Sequence, residues 1–488
     1  MPPNSPILRN RQSAVLVRVS LAVVAGAVSL APCATAGADP KPPAGLTPPP
    51  AYAAAPAPGD ALAPADGFDW VAAFAAPALQ EVVNEALKAN PQLRQAEARA
   101  DAQRARARAA AGRWLPDVSI GLTGTRIGVP TPAPTGLRTQ TESVGSRADA
   151  SWEADVWGRV LDGVRAEGAE ARAADADLAA ARLATAGRAA SGWVDLVEAA
   201  QLSALADEDL ATRTRAETIT QRRYEAGLSD ALALRTARAQ SASARAQLAA
   251  QKDQSLRAAR QLEATLGRYP AGAAQAGGDF PKLGAISAPG APIDLIAQRP
   301  DVAAAEARLQ AAGLRVWQAR KALAPRLTLN ASAIGSGIGL RDVTDIDGLV
   351  TQIVAGLTMP IFQGGALRAD VRAARAQARA AAASYVETTI SAWREVEDAL
   401  SADASLARRE TELAAAAVEA REAQALAERE YARGVATIFE LIDSYSRRID
   451  AERSLISVRA QRVNTRISYH LALGDLTPAM RGPRRQGA

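Results

Sequence analysis

Val386-Glu-Thr-Thr-Ile-Ser-Ala-Trp-Arg-Glu-Val-Glu-Asp-Ala-Leu400 lies within a run, Ala366–Arg433, that holds neither glycine nor proline. Ala, Arg, Glu and Leu dominate that run, and all four favour helix. Val386, Ile390, Trp393, Val396 and Leu400 recur every three or four positions, which keeps them on one face. As one helix the run reaches roughly 100 Å at 1.5 Å per residue. No ordinary globular core needs a rod that long. It must pack along other rods.

The chain supplies them. Arg159–Tyr224 is free of proline, carries Leu178, Trp193, Leu196, Leu205 and Leu210, and predicts a second rod of similar length. Tyr224-Glu-Ala-Gly-Leu-Ser-Asp230 breaks it, and Ala231–Leu266 reads as a helix running back. Pro77–Leu87 is a short amphipathic segment, and Pro91 to about Trp114 is a further helix that Pro116 terminates.

After Pro116 the period changes to two. Val118, Ile120 and Leu122 alternate with Asp117, Ser119 and Thr125, predicting a strand over about 117–125. A Pro-, Gly- and Thr-rich loop is expected over 126–146. A second strand follows over about 148–157, with Asp149, Ser151, Glu153 and Asp155 on one face and Ala148, Ala150, Trp152, Ala154 and Val156 on the other. A modest apolar side opposite a strongly acidic one fits a membrane barrel with a wet lumen, in which Asp149, Glu153 and Asp155 would be lumen acids. It fits a half-buried soluble hairpin equally well.

The second half repeats the first. Asn90-Pro-Gln-Leu-Arg-Gln-Ala-Glu-Ala-Arg99 maps onto Arg299-Pro-Asp-Val-Ala-Ala-Ala-Glu-Ala-Arg308, and the same offset carries Pro116 onto Pro325. Alternation resumes there, predicting strands over about 327–335 and 352–361. Tyr224 and Gly227 correspond to Tyr431 and Gly434, and Gly267 to Gly474. Each half therefore reads helix, strand, loop, strand, very long helix, turn, helix. The repeats span 68–267 and 293–475, joined by a short link over 268–292 and followed by a tail over 476–488. Four strands cannot close a membrane barrel, and an open edge is not tolerated in lipid. The rods likewise need partners for their apolar stripes. A homo-oligomer removes both deficits.

Composition narrows the function. The formal charge of the whole chain is +5, and three arginines with no acids lie in residues 1–33, so the remainder carries only +2. The charges are interspersed as on solvated helix faces, which gives nucleic-acid binding no support. One cysteine and one histidine allow neither an internal disulfide framework nor a Cys/His metal cluster. His470, near a helix end, reads as a surface or packing residue. Neither a nucleophile elbow nor a phosphate-binding loop is visible. No enzyme and no cofactor is expected.

Residues 1–33 read as an export signal: Arg9, Arg11 and Arg18 precede the apolar run Leu21–Leu30, which is too short to span a membrane. Leu30-Ala-Pro-Cys33 has the form of a lipobox that would lipidate Cys33, except for the proline before the cysteine. Cleavage after Ala36 or Ala38 is the other reading. Residues 34–67, rich in Pro and Ala, read as extended linker rather than core.

The duplicated plan resembles the outer-membrane efflux protein family, the TolC-like channels, and among them the OprM/NodT-type lipoproteins serving resistance–nodulation–division pumps. Four motifs carry the resemblance: Ser151-Trp-Glu-Ala-Asp-Val-Trp-Gly-Arg159, Ile293-Asp-Leu-Ile-Ala-Gln-Arg-Pro-Asp-Val-Ala-Ala-Ala-Glu306, Met359-Pro-Ile-Phe-Gln-Gly-Gly-Ala-Leu-Arg368 and Trp393-Arg-Glu-Val-Glu-Asp-Ala-Leu400. The proline in the lipobox, the short link and the few aromatics for interfacial girdles depart from the family pattern.

The resemblance implies a mixed fold, a membrane β-barrel above a long α-helical coiled-coil barrel. Three chains would each give four strands to one twelve-stranded barrel in outer-membrane lipid. It implies a periplasmic adaptor protein and an inner-membrane pump as partners. Tyr224, Gly227, Leu228 and Ser229, with Tyr431, Gly434 and Val435, would form adaptor-docking tips. Leu426 and Glu428 would form rings that gate the periplasmic end. The implied activity is passive conduction of small toxic molecules to the outside. A type I protein-secretion duct shares the architecture, and a periplasmic coiled-coil scaffold is the reading from another class.

Overall fold

The computed structural model describes residues 48–55, 69–130, 138–286, 289–338, 348–477 and 480, all within the compact unit Pro42–Ala488. Cys33 and the alternative cleavage points at Ala36 and Ala38 lie outside the described residues. The elements are α1 (Trp70–Ala73), α2 (Pro77–Ala89), α3 (Pro91–Gly112), β1 (Asp117–Pro130), β2 (Arg138–Ala154), α4 (Arg159–Glu225), α5 (Ala231–Thr265), α6 (Pro292–Gln298), α7 (Pro300–Lys321), β3 (Arg326–Gly337), β4 (Val350–Thr358), α8 (Ala366–Arg433) and α9 (Ile438–Leu473).

The strands form one antiparallel sheet in the order β1-β2-β3-β4. The packed helix pairs α3–α4, α4–α7 and α7–α8 follow the same order, since α3 leads into β1, β2 into α4, α7 into β3 and β4 into α8. Arg104 with Asp175 and Arg315 with Glu170 tie these helices side by side at 2.6 and 2.8 Å. Beyond this layer α4 pairs with α5, α8 with α9, and α4 with α9.

Glycine sets the ends of both rods. α4 and α8 start after Gly158 and Gly365, both in the left-handed region. They end at Gly227 (φ 72°) and Gly434 (φ 78°), where Leu228 N–H donates to the Arg223 carbonyl and Val435 N–H to the Glu430 carbonyl. This six-residue closure satisfies carbonyls that the helix end would leave open, and it requires a residue that accepts positive φ. Asp230 then caps α5, and Thr437 with Glu440 forms a capping box on α9.

The duplication also appears in how each half closes. Asn90 Nδ2 donates to the Thr265 carbonyl at 2.7 Å, and Arg299 Nη1, at the matching place, donates to the Ala472 carbonyl at 2.9 Å. Each half thus fastens the start of the helix before its first strand to the end of its last helix.

Several expectations need correction. The stretch 126–146, expected as loop, is strand over 126–130 and 138–146, with 131–137 outside the described residues. Ile127 and Val129 carry the alternation on along β1, now on the face opposite that of Val118, while the facing stretch of β2 is largely polar. β2 stops at Ala154 rather than 157: Asp155 leaves the ladder and its carboxylate accepts the Leu161 N–H at 2.7 Å. β4 stops at Thr358 rather than 361, where Pro360 has no N–H to give. The 34–67 stretch is not all linker. Tyr52 is buried in a core with Leu295, Val302, Val396 and Tyr469, and Glu397 accepts the N–H groups of Ala53 and Ala54 at 2.7 and 2.9 Å. Burial pushes the Tyr52 hydroxyl up to about 12, and the Glu397 carboxylate adds to it.

Candidate functional site: the sheet faces and the helix tips

Strand register sorts the sheet into two faces. Val118 lies opposite Ala150, which lies opposite Ala331, which lies opposite Ile353, and the rows of Ile120 and Leu329 extend the same apolar face. This face is bare: Ile120 is 81% exposed and Ile353 82%. The other face carries Ser119, Asp149, Ser332 and Gln352 in one row, with Ser151 and Asn330 joined at 2.9 Å in the next. Its acids are not free charges. Asp149 is held by Arg147 at 2.6 Å and Glu153 by Arg159 at 2.7 Å, while Asp155 caps the start of α4. β1 and β4 are edge strands, each with one side unpaired among the described residues.

At the far end of the rods the tip residues separate into two kinds. Tyr224, Leu228 and Val435 are exposed, Leu228 and Val435 strongly so at 70% and 74%, whereas Ser229 is half-buried. Tyr431 is buried instead. Its hydroxyl meets Thr220 at 2.8 Å, its carbonyl accepts from Arg223 at 2.8 Å, and the Arg223 guanidinium lies 5.1 Å from its ring. Tyr431 therefore ties α8 to α4 and is not part of the exposed tip, unlike its counterpart Tyr224. The sequence reading missed Leu232 and Phe439, 62% and 56% exposed, one helical turn beyond Leu228 and Val435. The repeat offset that joins Leu228 to Val435 also joins Leu232 to Phe439, and that was the available signal.

Leu426 is exposed on α8. Glu428 is half-buried and accepts from Gln424 Nε2 at 2.9 Å. Burial first, and then the Glu428 carboxylate hydrogen-bonded to it, push the Tyr445 hydroxyl above its ordinary range. Glu428 is thereby anchored to α9.

His470 is buried, stacked on Trp70 at 5.9 Å, with Nδ1 2.9 Å from Asp475 Oδ2, and it serves packing. Among the described residues no group of His, Cys, Asp and Glu is arranged to hold a metal, and no helix is long and apolar enough to cross a membrane.

A sheet apolar on one face and polar on the other, continuous with a layer of rods, defines an outer-membrane channel subunit of the TolC-like type, with a helical-barrel part and a β part. The chain belongs to the outer membrane efflux protein family, whose model matches residues 82–268 and 291–475. It is 31% identical over 427 residues to outer membrane protein OprJ of Pseudomonas aeruginosa, covering 86% of this chain and 88% of that one. It is 30% identical over 418 residues to the pyoverdine export outer membrane protein OpmQ of Pseudomonas putida, covering 83% and 87%. The solved outer-membrane channel OprN superposes with a TM-score of 0.78 at 25% identity, covering 91% of this chain and all of that one. The protein is an outer-membrane efflux component and not an enzyme family member.

Proposed function

We propose that three copies of this chain form the exit duct of a tripartite efflux pump, conducting small toxic molecules passively from periplasm to outside. The observation that carries this reading is a four-stranded sheet with one apolar face and two unpaired edges, mounted on rods that also have free sides. α3 exposes Ala98, Ala102, Ala105 and Ala109, and α8 exposes Ala366, Ala369, Ala373 and Ala376. Both stripes have the alternating three- and four-residue spacing of a coiled-coil seam. α3 lies on the β1 side of the layer and α8 on the β4 side, so one copy's β4–α8 side fits the next copy's β1–α3 side. Such a head-to-tail contact makes a closed ring when the rotation closes. Three copies would give twelve strands, leave no edge in lipid, and turn the polar face to the lumen.

The apolar pairs Leu228–Leu232 and Val435–Phe439 would dock a periplasmic adaptor. Leu426 and Glu428 would narrow the periplasmic end, with Glu428 fixed in place by Gln424 and Tyr445. Replacing Leu426 and Glu428 by small neutral residues should raise single-channel conductance in planar bilayers. Unchanged conductance would remove both residues from the constriction.

Crosslinking in cells from a photoreactive residue at Ser229 or Ala436, with mass spectrometry of the captured proteins, tests the whole reading. An adaptor captured with a proton-driven inner-membrane pump is the expected result. An adaptor captured with an ATP-driven exporter would make the protein a secretion duct instead.

A further inference from the structure

Arg126 marks the outer limit of the apolar band on β1. It shares a face with Val118, Ile120 and Leu122, yet it pairs with Glu142 at 3.1 Å and donates to Gln140 at 2.7 Å. A membrane strand needs about 9–11 residues to cross the hydrocarbon. That count, taken down from Arg126, ends at Leu115–Asp117. The inner membrane boundary therefore falls at the helical end of the sheet.

Register gathers all four strand ends there, with Asp117 opposite Ser151, Ala154 opposite Leu327, and Arg326 opposite Thr358. Just beyond them stand Trp114, Trp157, Ile361 and Phe362, exposed by 56%, 52%, 85% and 86%. The apolar row of β4, Ile353, Ala355 and Leu357, runs on in sequence to Met359 and Ile361. The indoles of Trp157 and Trp152 are fixed to this edge. Trp157 Nε1 donates to the Pro325 carbonyl at 2.7 Å, and Trp152 Nε1 donates to the Trp114 carbonyl at 3.0 Å. Aromatics are few in this chain, but here they are concentrated where a bilayer interface selects them.

The cations at the same level fall into two groups. Arg159 and Lys321 are taken up by Glu153 and Asp162 at 2.7 and 2.6 Å. Arg113 and Arg368 are exposed and form no ion pair among the described residues, while Arg326 shares the polar face of β3 with Thr328 and Asn330. Unpaired guanidinium groups beside exposed aromatics fit phosphate in a lipid headgroup layer. A neutral surface would not need them.

We propose that the helical end of the sheet is a binding surface for anionic phospholipid of the periplasmic leaflet, with Trp114, Trp157 and Phe362 at the headgroup–acyl boundary and Arg113 and Arg368 on lipid phosphates. The inference rests on the outer-membrane placement and on no pump partner, so it can fail while the efflux reading stands.

The test uses the purified full chain in vesicles containing brominated phosphatidylcholine or brominated phosphatidylglycerol at equal mole fraction. Bromine quenches nearby tryptophan, and Trp114 and Trp157 report from the rim. The expected result is stronger quenching by phosphatidylglycerol, lost in R113Q/R368Q and kept in R113K/R368K and in R326Q. Removing Arg113 or Arg368 alone should weaken the preference on the order of five-fold. High salt should erase the preference in the unaltered protein. Equal quenching by both lipids in the unaltered protein overturns the proposal. So does a preference that survives R113Q/R368Q. A rim that forms a contact between copies instead would show little quenching by either lipid, and that outcome also overturns it.

Discussion

Arg299 holds three groups at once: Asp301 at 2.7 Å, Glu395 at 2.7 Å and the Ala472 carbonyl at 2.9 Å. Burial alone would raise the Asp301 carboxyl, but the hydrogen-bonded Arg299 charge holds it below its ordinary range. The Arg-Pro-Asp-Val motif is thus a clasp joining α7 to α8 and α9. Its presence was legible in the sequence. Its meaning was not, because Glu395 and Ala472 lie 96 and 173 residues away. Arg299→Gln should cost about 2–3 kcal/mol, the scale of a lost charged hydrogen bond, read as lower resistance to thermal unfolding. Gly474 makes a second prediction. A Cβ there would sit 3.1 Å from the Arg299 Cα, on a backbone at φ 75°. Gly474→Ala should destabilise by about 1–3 kcal/mol in the same measurement, whereas alanine at Gly112, with open space around it, should not.

At the scale of elements, periodicity found every long helix and strand, and errors gathered where periodicity stops. The hairpin β1–β2 runs on past Thr125, where the apolar alternation changes face to Ile127 and Val129 and the facing stretch of β2 is largely polar, and so its length was hidden. The charges read as solvated faces prove to be partly a seam between helices: Arg466 binds Asp403 at 2.6 Å, and Ser457 donates to Glu198 at 2.8 Å. Burial on that α4–α9 seam raises the Glu198 carboxyl above its ordinary range, the Ser457 bond opposes this, and Asp195 adds to the rise. A carboxyl raised in the folded state binds its proton more strongly there than when unfolded. Its contribution is therefore present at lower pH and is lost as pH rises from about 4.3 through the raised value. Glu198→Gln should flatten this dependence, measured by thermal unfolding across that window. The tips give a contrasting case. Leu228→Asp with Val435→Asp should abolish adaptor capture while leaving thermal unfolding unchanged, since both side chains are exposed.

For the whole molecule, the argument from the sequence reached the oligomer through a deficit: four strands and long unpartnered stripes. It could not show which helices were free, because that depends on the packing order α3–α4–α7–α8. Ala105→Glu or Ala376→Glu, each placing a charge in a small-residue seam, should abolish heat-modifiable oligomers on gels while leaving helix content by circular dichroism intact. One measure in the chain goes further. As many residues separate Gly158 from Gly227 as separate Gly365 from Gly434. The two halves are cut to one gauge, so in the duct proposed above their lower ends would finish level and offer a partner a flat rim. Removing seven residues from both arms of one hairpin would raise its end by roughly 10 Å and leave the rim stepped. The same cut in every arm would give a shorter pipe that still seats squarely.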